Sequence, residues 1–158
     1  MRLAALCALL LAPALACSSE SKPVVPTPSS PRFVPMSAGI VKDATPGLVW
    51  TARDSGRELS WQTAQRRCQQ IDVQADGSVW RLPTIEELEP LFDALQGQPC
   101  GDQICRTDPA IDLTSPYQWS GTARGARRRV YFDFAHGSEL APQLRANLTR
   151  RGLCTRSS

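Results

Sequence analysis

The sequence predicts an α+β domain stapled by disulfides, and three observations carry that prediction. Two stretches, opening at Ser60 and at Thr84, set apolar residues at helical spacing behind residues that cap helices well. The short runs "GLVW" (47–50), "YQWS" (117–120) and "VYFDF" (130–134) read as strands between glycine and proline punctuation. Four cysteines, Cys68, Cys100, Cys105 and Cys154, fall inside this globular part, and in an exported chain four cysteines imply two disulfides.

Export is read from the first residues. Met1 and Arg2 precede "LAALCALLLAPALA", an uncharged apolar stretch too short to span a bilayer comfortably, so residues 1–16 predict a signal peptide. Ala14, Leu15, Ala16 and Cys17 resemble a bacterial lipobox, which makes Cys17 the expected lipidation site, carrying acyl chains such as palmitate. By resemblance to enteric sorting rules, Ser18 after it favours the outer membrane, so the expected location is the outer membrane or the cell surface. The following "SSESKPVVPTPSSPRFVP" carries prolines at 23, 26, 28, 31 and 35, which exclude a helix or a central strand. Residues 17–42 are therefore expected to be a lipid-anchored, extended tether, with one domain over residues 43–158.

Within that domain the first helix is expected from Ser60, with Trp61, Ala64, Cys68 and Ile71 on one face. Cys68 thus points at the core, a place suited to a structural disulfide rather than to a reactive thiolate. In "WRLPTIEELEPLFD", Thr84 and Glu87 have the spacing of a capping box, and Ile85, Leu88, Leu91, Phe92 and Leu95 trace an apolar stripe. Glu86 and Glu89 fall off the stripe, so the three glutamates start a helix and need do no chemistry. Pro90 predicts a kink or a restarted helix. Residues 96–116 read as a loop. Val130, Phe132 and Phe134 alternate with Tyr131 and Asp133, as in a half-buried strand; "ARGARRR" is a hairpin tip, and "RGLCTR" closes the domain on a last strand.

Taken in order, "GLVW", "LSWQTAQRRC", "WRLPTIEELEPLFD", "YQWSGT", "VYFDFAHG" and "GLCTR" resemble the Lcl C-terminal domain family, a bacterial surface-protein module named for a collagen-like adhesin. The resemblance implies a fold related to C-type lectins and formylglycine-generating enzymes, with two helices around a small, irregular, mostly antiparallel sheet. It also implies that Cys68 pairs with Cys154 and Cys100 with Cys105. The chain departs from the family pattern at Pro90, at the extra residue in "YQWSGT" and at "FAHG".

Several chemistries find little footing. Cys100 and Cys105 have the spacing of the paired active-site cysteines of formylglycine-generating enzymes, but the elements that flank those cysteines are missing. The single histidine, His136, sits in a turn, which argues against a zinc site or a nucleophile–histidine triad. Asp102, Asp108 and Asp112 are the only candidates for calcium. The reading is therefore non-catalytic, without metal or cofactor.

Charge points elsewhere. Residues 43–120 hold six arginines against twelve acidic residues, a net of −6, whereas residues 121–158 hold eight arginines against Asp133 and Glu139, a net of +6. Arg124, Arg127, Arg128 and Arg129 crowd the hairpin tip, and guanidinium forks suit sulfate or phosphate groups. The adhesin that names the family binds sulfated glycosaminoglycans. The expected function is accordingly a lectin-like binding or adhesion module for polyanionic or sulfated glycans, attached to the membrane through its lipid. The alternative is an envelope structural module that docks on a protein, marked by exposed aromatics around Trp119 and Tyr131, which are also, with the four arginines of the tip, the candidate ligand contacts. Nucleic acid is disfavoured by export.

Overall fold

The computed structural model describes residues 31–37, 39–71 and 79–158. The expected signal peptide, Cys17 and the tether up to residue 30 lie outside the described residues. The rest is an α+β domain with two disulfides, Cys68–Cys154 and Cys100–Cys105.

Its first sheet is antiparallel and four-stranded, in the order β1 (Phe33–Ser37), β2 (Ile40–Asp43), β3 (Leu48–Thr51) and β9 (Thr155–Ser157). The expected boundary at Asp43 is thus too late, because the last residues assigned to the tether are two strands of the fold. Pro35 rules out a central strand, but β1 pairs only with β2, and an edge strand tolerates a proline. Arg32 binds this start to the body of the domain: its guanidinium meets the fully buried Asp43 carboxylate at 2.6 Å and also donates to the Pro90 carbonyl.

Helix α1 (Trp61–Gln69) starts where expected, with Ser60 accepting from the Thr63 amide. Ala64 and Cys68 are buried on its inner face. Helix α2 (Ile85–Leu88) opens on the Thr84–Glu87 capping box and passes at Pro90 into a 3-10 turn, Glu89–Leu91. That early end corrects the predicted stripe. Ile85, Leu88 and Leu91 are buried, but Leu95 lies beyond the last turn and is 95% exposed.

The expected loop contains a hairpin, β4 (Gln98–Cys100) and β5 (Gln103–Cys105), closed by its own disulfide. The remaining strands, β6 (Tyr117–Ala123), β7 (Arg129–Asp133) and β8 (Ser138–Leu140), form a three-stranded antiparallel sheet. The β6–β7 register shifts between Trp119 and Ala123, where the extra residue of "YQWSGT" falls. The irregularity turns the Gly121 amide toward the Pro83 carbonyl at 2.7 Å and lets Thr122 Oγ1 accept from the Ile85 amide at 2.9 Å, so β6 carries the start of α2.

β7 is buried on both faces, not on one. Val130, Phe132 and Phe134 join a core with Trp50, Leu88 and Leu153, while Tyr131 joins a second core with Trp119, Trp80 and Cys68. The C-terminal segment stitches the sheets together: Arg150 pairs with Leu59, Arg151 with Gln118, and Thr155 with both Arg81 and β3. Cys154 lies on that segment, so its disulfide fastens α1 to the seam.

Candidate anion-binding surface

The arginine-rich tip joins β6 to β7, with Gly125 at φ 73° turning the chain and the Arg124 amide donating to the Arg128 carbonyl. Two of its arginines are spent on structure. Arg124 pairs with Glu139 of β8 at 3.1 Å. Arg129 lies over the Trp61 ring, 4.5 Å from its centroid, and donates to the Gly125, Ala126 and Arg128 carbonyls. Arg127 and Arg128 point into solvent, and neither side chain has a partner among the described residues.

Beside the tip runs a segment that the sequence reading did not use. The Leu144 amide donates to the Arg127 carbonyl at 2.7 Å, and Gln143 pairs with Arg128 as an isolated bridge. Leu144 and Leu148 pack on the second core, which roots the segment. Between these anchors Pro142, Gln143, Arg145, Asn147 and Leu148 line a cleft of about 360 Å³. Arg145 is exposed and, like Arg127 and Arg128, has no side-chain partner among the described residues. The cleft therefore extends the arginine tip and adds amide groups to it.

The other C-terminal arginines are engaged. Arg150 lies over Tyr131 at 4.4 Å and Tyr117 at 5.1 Å, and donates to the Tyr131 hydroxyl at 3.3 Å. Arg151 approaches Glu58 at 3.5 Å, and Arg156 lies over the Trp80 ring. A guanidinium already neutralised or stacked has less to offer an incoming anion.

Trp119 and Tyr131, read from the sequence as ligand contacts or exposed docking aromatics, are neither. Trp119 is fully buried with its indole N–H donating to the Leu59 carbonyl, and Tyr131 is 6% exposed, edge-on to both Trp119 and Tyr117. Strand β7 is covered on the Tyr131 side that alternation left open, and Leu144 and Leu148 pack on the same core.

Other candidates separate in space or are taken up. Asp112 meets Arg53 at 3.2 Å, Asp108 accepts from the Ala110 amide, and His136 Nδ1 lies 2.8 Å from Asp133 Oδ2. Among the described residues no three His, Cys, Asp or Glu side chains could hold a metal ion together. Of the glutamates, Glu87 is held by Arg81 in a two-pronged pair, both contacts 2.7 Å, while Glu86 and Glu89 are exposed. Hydrogen bonding from Arg81 is the main reason that the Glu87 carboxyl lies below the usual carboxylate range. An acid so held is a poor general acid or base.

A family described as the Lcl C-terminal domain matches residues 39–151. No curated protein and no solved structure matches the chain.

Proposed function

The chain belongs to the Lcl C-terminal domain family, and on that premise we propose that it is the binding module of an exported, lipid-anchored surface protein that docks on polyanions such as sulfated glycans. The observation that carries the reading is the division of labour among the arginines. Arg127, Arg128 and Arg145 are left unpaired among the described residues, on two segments joined by backbone hydrogen bonds, beside a cleft that offers the Gln143 and Asn147 amides. Guanidinium groups in that state can each take a sulfate or carboxylate by two parallel hydrogen bonds. The neighbouring amides can read the hydroxyls of the same chain. Docking on an envelope protein rested on exposed aromatics, and Trp119 and Tyr131 are buried. Oxidative chemistry needs Cys100 and Cys105 as thiols, and they are paired.

The test is binding to immobilised heparin across a salt series. Affinity should fall steeply between low and physiological salt, because exposed charges are screened over about 8 to 10 Å. Replacing Arg127, Arg128 and Arg145 together by serine should remove most of the binding without altering the unfolding transition. Binding that survives the triple substitution overturns this assignment.

A further inference from the structure

A second cleft lies away from the arginine tip, against the disulfide hairpin. The β4–β5 turn holds Gly101 at φ 62°, and a Cβ there would stand 3.4 Å from the Thr114 carbonyl, so the turn rests on the chain that leads into β6. Between turn and chain, lined also by Glu58 and Arg151, is a space of about 230 Å³. Both walls are held in place. The turn is clamped by Cys100–Cys105. The opposite wall is tied to the buried Asp54 carboxylate, which accepts from the Thr114 amide at 2.8 Å, the Thr114 hydroxyl at 2.6 Å and the Gln118 side-chain amide at 2.9 Å. A ligand would meet a preorganised site.

Its chemistry differs from that of the tip. The Asp102 carboxylate, the Gln103 amide and the Tyr117 hydroxyl line the space with no side-chain polar partner among the described residues. Arg151 and Glu58 only approach each other, at 3.5 Å, and the buried Arg151 Nε makes no hydrogen bond. Two carboxylates against one guanidinium repel the dense anion that suits Arg127 and Arg128, and the guanidinium disfavours a cation. The uncommitted Asp102, Gln103 and Tyr117 groups offer both donors and acceptors, and a hydroxyl, which both donates and accepts, matches such a wall. The Pro116 ring and the Tyr117 ring add apolar surface for C–H faces. The volume is that of roughly eight waters, enough for one sugar ring.

We infer that this cleft binds one neutral sugar unit, a hexose or N-acetylhexosamine, with its hydroxyls shared between Asp102, Gln103 and Arg151. The experiment titrates glucose, galactose, mannose and N-acetylglucosamine separately into the disulfide-intact chain and follows backbone amide shifts. At least one sugar should move the amides of Gly101, Asp102, Gln103 and Ser115 in a saturable way. Asp102→Ala and Gln103→Ala should each weaken that sugar about tenfold, the scale of a lost hydrogen bond to a charged or well-placed polar group. Neither should shift the unfolding midpoint, since neither side chain has a structural partner. Excess heparin should leave the sugar-induced shifts in place, so this site and the arginine surface stand or fall separately. The inference is overturned if no sugar moves these amides, if the two variants bind as well as the parent, or if heparin displaces the sugar.

Discussion

The guanidinium of Arg129 covers the indole of Trp61, and that indole in turn donates to the Ser120 carbonyl at 2.8 Å. One arginine of the tip therefore belongs to the packing between α1 and the β6–β7 hairpin, while its neighbours Arg127 and Arg128 do not. Arg129→Ser should lower stability by about 1 kcal/mol, the scale of a partly desolvated cation–π contact. Arg127→Ser and Arg128→Ser should stay within about 0.5 kcal/mol of the parent. Urea denaturation of the three variants checks this, and equal losses at all three positions would contradict the division of the tip.

The two disulfides close loops of very different length, 86 and 5 residues apart in sequence. In the chain-entropy model the long closure stabilises by about 4 to 5 kcal/mol and the short one by about 2 kcal/mol. Cys68→Ala with Cys154→Ala should therefore shift the urea midpoint far more than Cys100→Ala with Cys105→Ala. Peptide mapping without reductant should return the same two pairs, and recovery of Cys68 joined to Cys100 or Cys105 would refute the topology.

Features that rest on local chemistry are legible in the sequence alone. Ser60 and Thr84 cap their helices because a hydroxyl beside free amides acts the same way in any fold, and Pro90 ended α2 for the same local reason. Alternation along β7 was also readable, but alternation does not report how many faces a fold covers. Tyr131 and Asp133 therefore looked half-exposed and are buried. Leu95 failed in the opposite sense, since a periodic stripe does not say where the helix stops. At the candidate surface the sequence shows a run of arginines but not their partners. Trp61 and Glu139, which engage Arg129 and Arg124, are brought there by tertiary folding. Arg145 and Asn147 had one available signal, the pair Leu144 and Leu148 four residues apart in an otherwise polar stretch, the mark of an anchored segment.

Gly137 has two reasons to be glycine, which makes it separable from other turn glycines. Its φ is 68°, and a Cβ there would fall 2.7 Å from Phe92 Cζ, on a ring packed edge-on against Phe132. Gly125 shares the left-handed backbone at φ 73° but faces open space. Gly125→Ala should cost about 1 kcal/mol for the backbone alone. Gly137→Ala should cost about 2 to 4 kcal/mol, because the ring must also move. Thermal unfolding of the two variants checks the difference, and equal costs would mean that the Phe92 ring yields freely.

The start of α2 makes stability depend on pH through Glu87. Its Oε2 accepts from the Thr84 amide and from Arg81 Nη1, each at 2.7 Å, and its Oε1 accepts from Arg81 Nη2 at 2.7 Å. Hydrogen bonding from Arg81 is the largest cause of its lowered pKa; partial burial opposes it, and the Thr84 amide and the Arg81 charge add to the lowering. A carboxyl whose folded pKa lies below its unfolded one stabilises the fold in full above the unfolded value, near 4.3. That contribution is lost as pH falls through the lower folded value. Glu87→Gln should therefore be less stable than the parent at neutral pH, and its stability should fall less steeply on acidification. The effect should be modest, since the Arg81 side chain is 40% exposed and solvent screens the pair. Thr84→Ala should cost about 1 kcal/mol at neutral pH. Glu86→Gln should be nearly neutral, because Glu86 is exposed and off the capping box. Denaturation of all three variants from neutral to acid pH checks the set. An acid limb unchanged by Glu87→Gln would show that the Arg81 pair does not couple to folding, and a binding or catalytic activity lost in Glu86→Gln with stability intact would return the glutamates to chemistry.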